Sequence, residues 1–345
     1  MTLPAHFRPL DELDAAWRVG PAGARLEVVR RAALTLKEKL HAGPQVKSVR
    51  TYDLITLPYP TRYGLGDAAR SILPFLLITN RMQLVTVATT DGVKRVLVNP
   101  SDHERDQETP FFKRLAAGSP KWAQRLIARR HSTVPERLAE AGVRGEQIDY
   151  VTFDHLHTQD LRRVLGEWCP RAKLLVQREE LDIFTRLHPL QNDWYLADAI
   201  AGLAPERFVV LERDVLVGEG LALVRTPGHT FGNHSIVLMT DRGVWTISEN
   251  GVSCDNYSPE KSAIGGLAGH ARSRGVEVVL NGNTREGSLD QYTSMILEKT
   301  LADPCPDGSG YVQHFPSSEL TASSLLPGLA PTYSQRAITH GPPPA

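Results

Sequence analysis

The strongest constraint on this chain is a short strand that runs straight into a pair of histidines. Ile148 to Phe153 (IDYVTF) has the apolar, β-rich texture of a strand, and Asp154-His155-Leu156-His157-Thr158-Gln159-Asp160 follows without a break. In a tight loop His155 and His157 can point to one side, and Asp160 lies within reach at the start of the next helix. A second segment, Thr226-Pro227-Gly228-His229-Thr230, also ends a strand, Leu221 to Arg225. There Pro227 fixes one φ and Gly228 permits a positive one, so the turn is sharp and holds His229 at the strand mouth. Imidazoles with a nearby carboxylate suit Zn, Fe, Mn or Ni. For one cation to bind all three histidines, the fold must bring together two strand ends that are far apart in sequence.

The rest of the chain alternates strand and helix text. Ala24 to His41 places Leu26, Val29, Ala33, Leu36 and Leu40 near one helical face, and Gly43-Pro44 stops it. Strands are expected at Phe75–Thr79, Leu84–Thr89 and Arg95–Asn99, with Thr90-Asp91-Gly92 as a turn. Helical text covers Phe111 to Arg130, and Thr133 is placed to cap a helix that ends at Gly142. Later strands fall at Lys173–Gln177, Phe208–Leu211, Ser235–Met239 and Gly243–Ser248, with a closing strand at Val276–Asn281 and a last helix at Leu289–Leu301. The sequence after Pro304 is rich in Pro, Ser and Gly and reads as extended or disordered. The expected division is a helical N-terminal extension over 1–48, a main domain over 49–302 and a C-terminal tail over 303–345. Two β-then-α halves suggest two sheets packed face to face with helices outside.

Composition removes several function classes. The 39 basic and 39 acidic residues cancel, so no global field favours nucleic acid or an anionic membrane. Ser71 to Thr79 (SILPFLLIT) is too short to span a bilayer. Cys169, Cys254 and Cys305 are widely spaced, which argues against a disulfide framework and fits a reducing cytoplasm. No phosphate-binding glycine loop and no GxSxG elbow is present, so nucleotide binding and serine hydrolysis are unsupported.

HxHxx(D) after a strand, then TPGHTxGxxS about 70 residues on, resembles the metallo-β-lactamase superfamily. The texture is most similar to the branch of acyl-homoserine lactonases and related hydrolases, over roughly residues 70 to 295, including LLVQREEL after the first motif. The resemblance implies an α/β fold of the αββα sandwich type, with metal ligands on loops at one edge of two sheets. His155, His157 and His229 match the three histidines of the family's first metal site. The family pattern continues HxHxDH, but here Gln159 and Asp160 stand at the last two positions. The bridging Asp of the family falls within Thr246-Ile247-Ser248-Glu249-Asn250; Glu249 is its best substitute, with Ser248 and Asp255 as alternatives. Asn283 stands where the family's last histidine is found, and Leu97-Val98-Asn99-Pro100-Ser101 replaces its LVDxG.

These departures leave the first site its nitrogen ligands and deprive the second of both its imidazoles and its Asp. The expectation is therefore one transition-metal ion at His155, His157 and His229, with Asp160 or Glu249 as a fourth ligand. Zn is the first choice, Fe and Mn are alternatives, and a second ion is doubtful. The implied activity is hydrolysis of an ester, lactone or thioester in a small-molecule substrate by a metal-activated water, with Asp160 or Glu249 as base. The alternative is an altered protein of the same fold, with non-hydrolytic metal chemistry or a ligand- or partner-binding role; the lost Asp at Gln159 favours it. Trp194, Tyr195 and Tyr257 are read as loop packing, with pocket lining as the other assignment. The sequence leaves the oligomeric state open, a homo-oligomer included.

Overall fold

The computed structural model describes residues 3–117, 128–282 and 287–343. Among them, strands form two sheets. The smaller has the order β1 (Arg8–Leu10), β9 (Asp214–Gly218), β10 (Leu221–Arg225), β11 (His234–Thr240), β12 (Gly243–Ser248) and β13 (His314–Pro316). The larger runs β15 (Thr339–His340), β2 (Ser48–Pro60), β3 (Phe75–Thr89), β4 (Gly92–Val98), β6 (Tyr150–Thr152), β7 (Lys173–Gln177) and β8 (Phe208–Leu211). β14 (Ser318–Leu320) also pairs with β3, and β5 (Arg129–Arg130) with β2.

Alternation along the strands builds the layers. Val85, Val96, Val98 and Leu175 of the larger sheet meet Leu223, Ile236, Leu238 and Ile247 of the smaller one in the central core. The intervening residues Leu84, Leu97, Val151 and Leu174 face outward, against helix α2 (Val134–Glu140) and the 161–168 helical segment. On the other side Ala222, Val224 and Val237 pack under α1 (Ala22–His41) and α5 (Ser288–Leu301). Buried Val29, Ala33, Leu36 and Leu40 give α1 the single apolar face its spacing predicts. The result is the expected αββα sandwich. The shorter helices include α3 (Arg178–Asp182), directly after β7, and α4 (Leu267–Arg274). Thr133 caps α2, as anticipated, and Glu136 completes a capping box with it.

Several expectations need correction. The N-terminal extension is not purely helical, because Arg8–Leu10 adds an edge strand beside β9. β2 is not marked in the sequence, since Asp53, Pro58 and Pro60 break its alternation; among the described residues its outer side is paired only by the short β5 and β15, where prolines are tolerated. The helical text after Phe111 yields Pro110–Ala117, and its continuation over 118–127 lies outside the described residues. The closing strand expected at Val276–Asn281 is instead irregular, bonding through Val279 N–H and Asn281 N–H to the carbonyls of Asn256 and Asn250.

The place beside β12 is taken by the tail, which is not disordered but is extended and paired into both sheets. β13 lies parallel to β12, β14 pairs with β3 and β15 with β2. Phe315 is fully buried in the inter-sheet core, and Glu319, also fully buried, pairs with Arg81 at 2.6 Å. Such a charge is tolerable in the interior only when paired. Phe315→Ala is therefore expected to lower stability by about 3–5 kcal/mol in a denaturant titration. A loss under about 0.5 kcal/mol, typical of a surface position, would show that the tail is not part of the core.

Candidate metal centre

The parallel strands of both sheets end on the same side, and the site is built from residues just past those ends. β4 leads to Asn99, β6 to His155 and His157, and β7 to Glu180. β10 leads to His229, β12 to Glu249 and β13 to Ser317. His155, His157 and His229 are all buried, and each offers a ring nitrogen within 4.8 Å of the others'. Their ring centroids are 4.6–5.1 Å apart, with 155–157 and 155–229 nearly perpendicular. Edge-to-face rings at this spacing let nitrogens converge on one point.

Each histidine has its own support. The Asp154 carboxylate accepts both the backbone N–H and the Nδ1 of His155, each at 3.0 Å, which leaves Nε2 for the cavity. Its other oxygen accepts the Ser317 hydroxyl at 2.6 Å. Asn99, held at φ 50°, accepts the Asp154 N–H and donates to Ser317. His157 packs against the ring of Tyr195 at 4.8 Å. The His229 loop is locked by Ser294, whose hydroxyl donates to the Pro227 carbonyl, and by Asn233, which donates to Thr226. At Gly228, φ is 129° and a Cβ would lie 2.0 Å from the Gln291 nitrogen, so no other residue fits between the loop and α5.

Electrostatics separate the three rings. Burial, then repulsion from His155, holds His157 and His229 well below the usual imidazole range, so both are neutral at pH 7. Burial also lowers His155, but the adjacent Asp154 outweighs it and the ring is pushed up to about 9. Both nitrogens of His157 are buried with no hydrogen-bond partner among the described residues. Interior polar atoms left in that state are rare unless something fills them. The donor set and this unsatisfied imidazole fit a cation such as zinc.

Of the remaining expected residues within the described part of the chain, Glu249 faces the cavity, while Ser248, Asp255 and Asp160 are engaged elsewhere. Glu249 lines the cavity, accepts the Ser318 hydroxyl at 3.0 Å, and forms with Asp154 and His155 a second close group of donors. Burial pushes its carboxyl up to about 7, against the opposing pull of His155. Ser248 instead donates to Glu298 at 2.7 Å, beneath the site. Asp255 is occupied by Ser262 and Thr332. Asp160 does not join the histidines: it caps the 161–163 turn, and both its oxygens are bound by Arg162, with Arg105 at 3.7 Å. Asn283 lies outside the described residues. Sequence reasoning assigned no role to Asp154 or Glu180; Asp154 had at least the signal of directly preceding His155.

The three histidines and Glu249 form the floor of a cavity of about 450 Å³. Leu57, Phe75, Phe111 and Trp194 supply apolar wall, and His103, Asp106, Lys113 and Gln159 polar positions. Tyr195 and Tyr257 are buried behind the site, bonded to Glu180 and Glu298.

No protein-family model matches the chain. Its neighbours among solved structures are metallo-β-lactamase-fold lactonases and hydrolases. It is similar to a quorum-quenching N-acyl homoserine lactone lactonase at 17% identity, with 67% of this chain and 87% of that one covered and a TM-score of 0.46. It is similar to AidC, a dizinc quorum-quenching lactonase, at 11% identity, covering 87% and 98%, with a TM-score of 0.49. A probable metal-dependent hydrolase from Staphylococcus aureus matches at 12% identity, covering 72% and 84%, with a TM-score of 0.49.

Gly228→Ala is expected to cost at least about 2 kcal/mol, because the loop must move away from α5. A thermal melt of the variant indistinguishable from that of the unaltered protein would refute the close approach.

Proposed function

We propose that this chain is a metal-dependent hydrolase of an ester, lactone or thioester in a small-molecule substrate, with one cation held by His155, His157 and His229. The observation that carries this reading is the convergence of three buried imidazoles, within 4.8 Å of one another, on the floor of a cavity that also exposes Glu249. Zinc suits three nitrogen donors best, with Fe or Mn as alternatives. A cation bound there supplies Lewis acidity toward a carbonyl and a nucleophile competent near neutral pH.

The chain's own residues do the rest. Asp154 orients His155 and keeps its Nε2 turned to the cavity. Glu249 orients the attacking water and accepts its proton; a carboxyl titrating near 7 in the metal-free protein is suited to take and release a proton at neutral pH. The apolar wall around Phe75, Phe111 and Trp194 holds the hydrocarbon part of the substrate and keeps bulk water out. Asp160, bound by Arg162, is a supporting residue in this reading and not the base. A second cation has little to hold it, since Gln159 is neutral.

Gln159 also favours the second reading, binding or non-hydrolytic metal chemistry, because a carboxylate is missing where the resemblance leads one to expect it. Metal analysis and a panel of esters, lactones and thioesters separate the two. The expected result is one equivalent of metal and hydrolysis of at least one panel member, both lost in His157→Ala. Glu249→Gln should keep the metal and lose about 10²–10⁴-fold in kcat. Loaded protein silent on the whole panel would favour the second reading, and protein that takes up no metal would end the hydrolase and metal-chemistry readings and leave only a binding role.

A further inference from the structure

We propose that Glu180 is the positioning residue that sets the distance between the two histidine loops; the inference rests on the metal reading above. Glu180 sits on α3, just past the end of β7, and is 1% exposed. It does not line the cavity, so it touches no substrate. One carboxylate oxygen accepts the Leu156 N–H at 2.7 Å and the Tyr195 hydroxyl at 2.9 Å. The other accepts the Thr230 hydroxyl at 2.5 Å.

Each of these donors is one step from a histidine. Leu156 lies between His155 and His157, so fixing its N–H fixes the backbone from which both rings project. Tyr195 packs its ring on His157 at 4.8 Å, and Glu180 fixes that ring from its far end. Thr230 follows His229 directly. The loops come from different sheets, after β6 of the larger and β10 of the smaller. Glu180 therefore bridges the sandwich at the height of the imidazoles. Gly232 strengthens the joint: a Cβ there would lie 2.2 Å from the Glu180 nitrogen, so the His229 loop rests directly on the start of α3.

The chemistry requires an acceptor, not a charge. Three donors converge on Glu180, and a buried N–H such as that of Leu156 is costly to leave unpaired. Gln keeps one oxygen for Leu156 and Tyr195, and its amide can donate to Thr230 Oγ. Leu has a similar size and offers no acceptor.

The test measures zinc affinity by competition with a chromophoric chelator, and the visible spectrum of the cobalt-substituted protein, for unaltered protein, Glu180→Gln and Glu180→Leu. Melting curves of the metal-free proteins identify the folded fraction. Glu180→Gln should stay close to the unaltered protein. Glu180→Leu should bind zinc about 10–100-fold more weakly, the range typical for loss of a group that orients ligands, and its cobalt bands should shift. Folded Glu180→Leu with the unaltered affinity and spectrum would overturn the proposal. Should Glu180→Leu fail to fold, Thr230→Val carries the test: it removes one donor, and an unchanged affinity and spectrum there would also overturn it. Unaltered protein that binds no zinc or cobalt overturns the metal reading itself, a failure distinct from equal binding by all variants.

Discussion

Placing three imidazoles side by side in the interior works against solvation and against charge. Each ring loses water on burial, and a proton on one disfavours a proton on the next. The chain meets the first cost for His155 with the Asp154 carboxylate, and it meets the second by keeping His157 and His229 neutral. Among the described residues, neither buried nitrogen of His157 has a hydrogen-bond partner. Much of the surrounding structure serves to hold this arrangement in place: Asn99 and Ser317 fix Asp154, and Ser294 and Asn233 fix the Thr226–Thr230 turn. A fully buried Glu298 ties Ser235, Ser248, Asn250 and Tyr257 together beneath it.

The sandwich makes this economical. A strand end is a rigid base for a short loop, and parallel strands deliver their ends to one edge. Here β4, β6 and β7 do so in one sheet, and β10, β12 and β13 in the other. The two edges meet over a common cavity, so residues from six strand ends need only a few residues of loop each. Gly228 and Gly232 let the loop after β10 lie against α5 and α3, where any side chain would force it outward.

What could be read in the sequence was local. A strand followed by HLH, and a strand followed by TPGHT, each declare their geometry within a few residues. Glu249 is the candidate that the family resemblance offers at the end of the strand Gly243–Ser248, with Ser248 and Asp255 as alternatives, and among these it is the one that lines the cavity. The role of Asp160 is not legible in the sequence, because it depends on which way Arg162 turns, and spacing says nothing about that. Glu180 is illegible for a related reason: within REELD it looks like a solvated helical face, and it is the packing of the distant Leu156, Tyr195 and Thr230 segments that buries it. β2 was hidden by its prolines. The tail strands were hidden by distance, since β14 pairs with β3 across most of the chain and nothing nearby in sequence marks either partner.

That woven tail has a consequence for how the protein matures. Ser317 grips Asp154 across 163 positions of chain, and Asn99 reaches the same hydroxyl. At ordinary synthesis rates of about 5–20 residues per second, roughly 10–30 s separate the appearance of the two partners. A nascent polypeptide thus carries His155, His157 and His229 well before it owns the serine that steadies their neighbour. The pocket reaches its working shape only after Ser317 has been added, and ribosomes that abort between His229 and that point release chains with every imidazole present and the first of them poorly aimed.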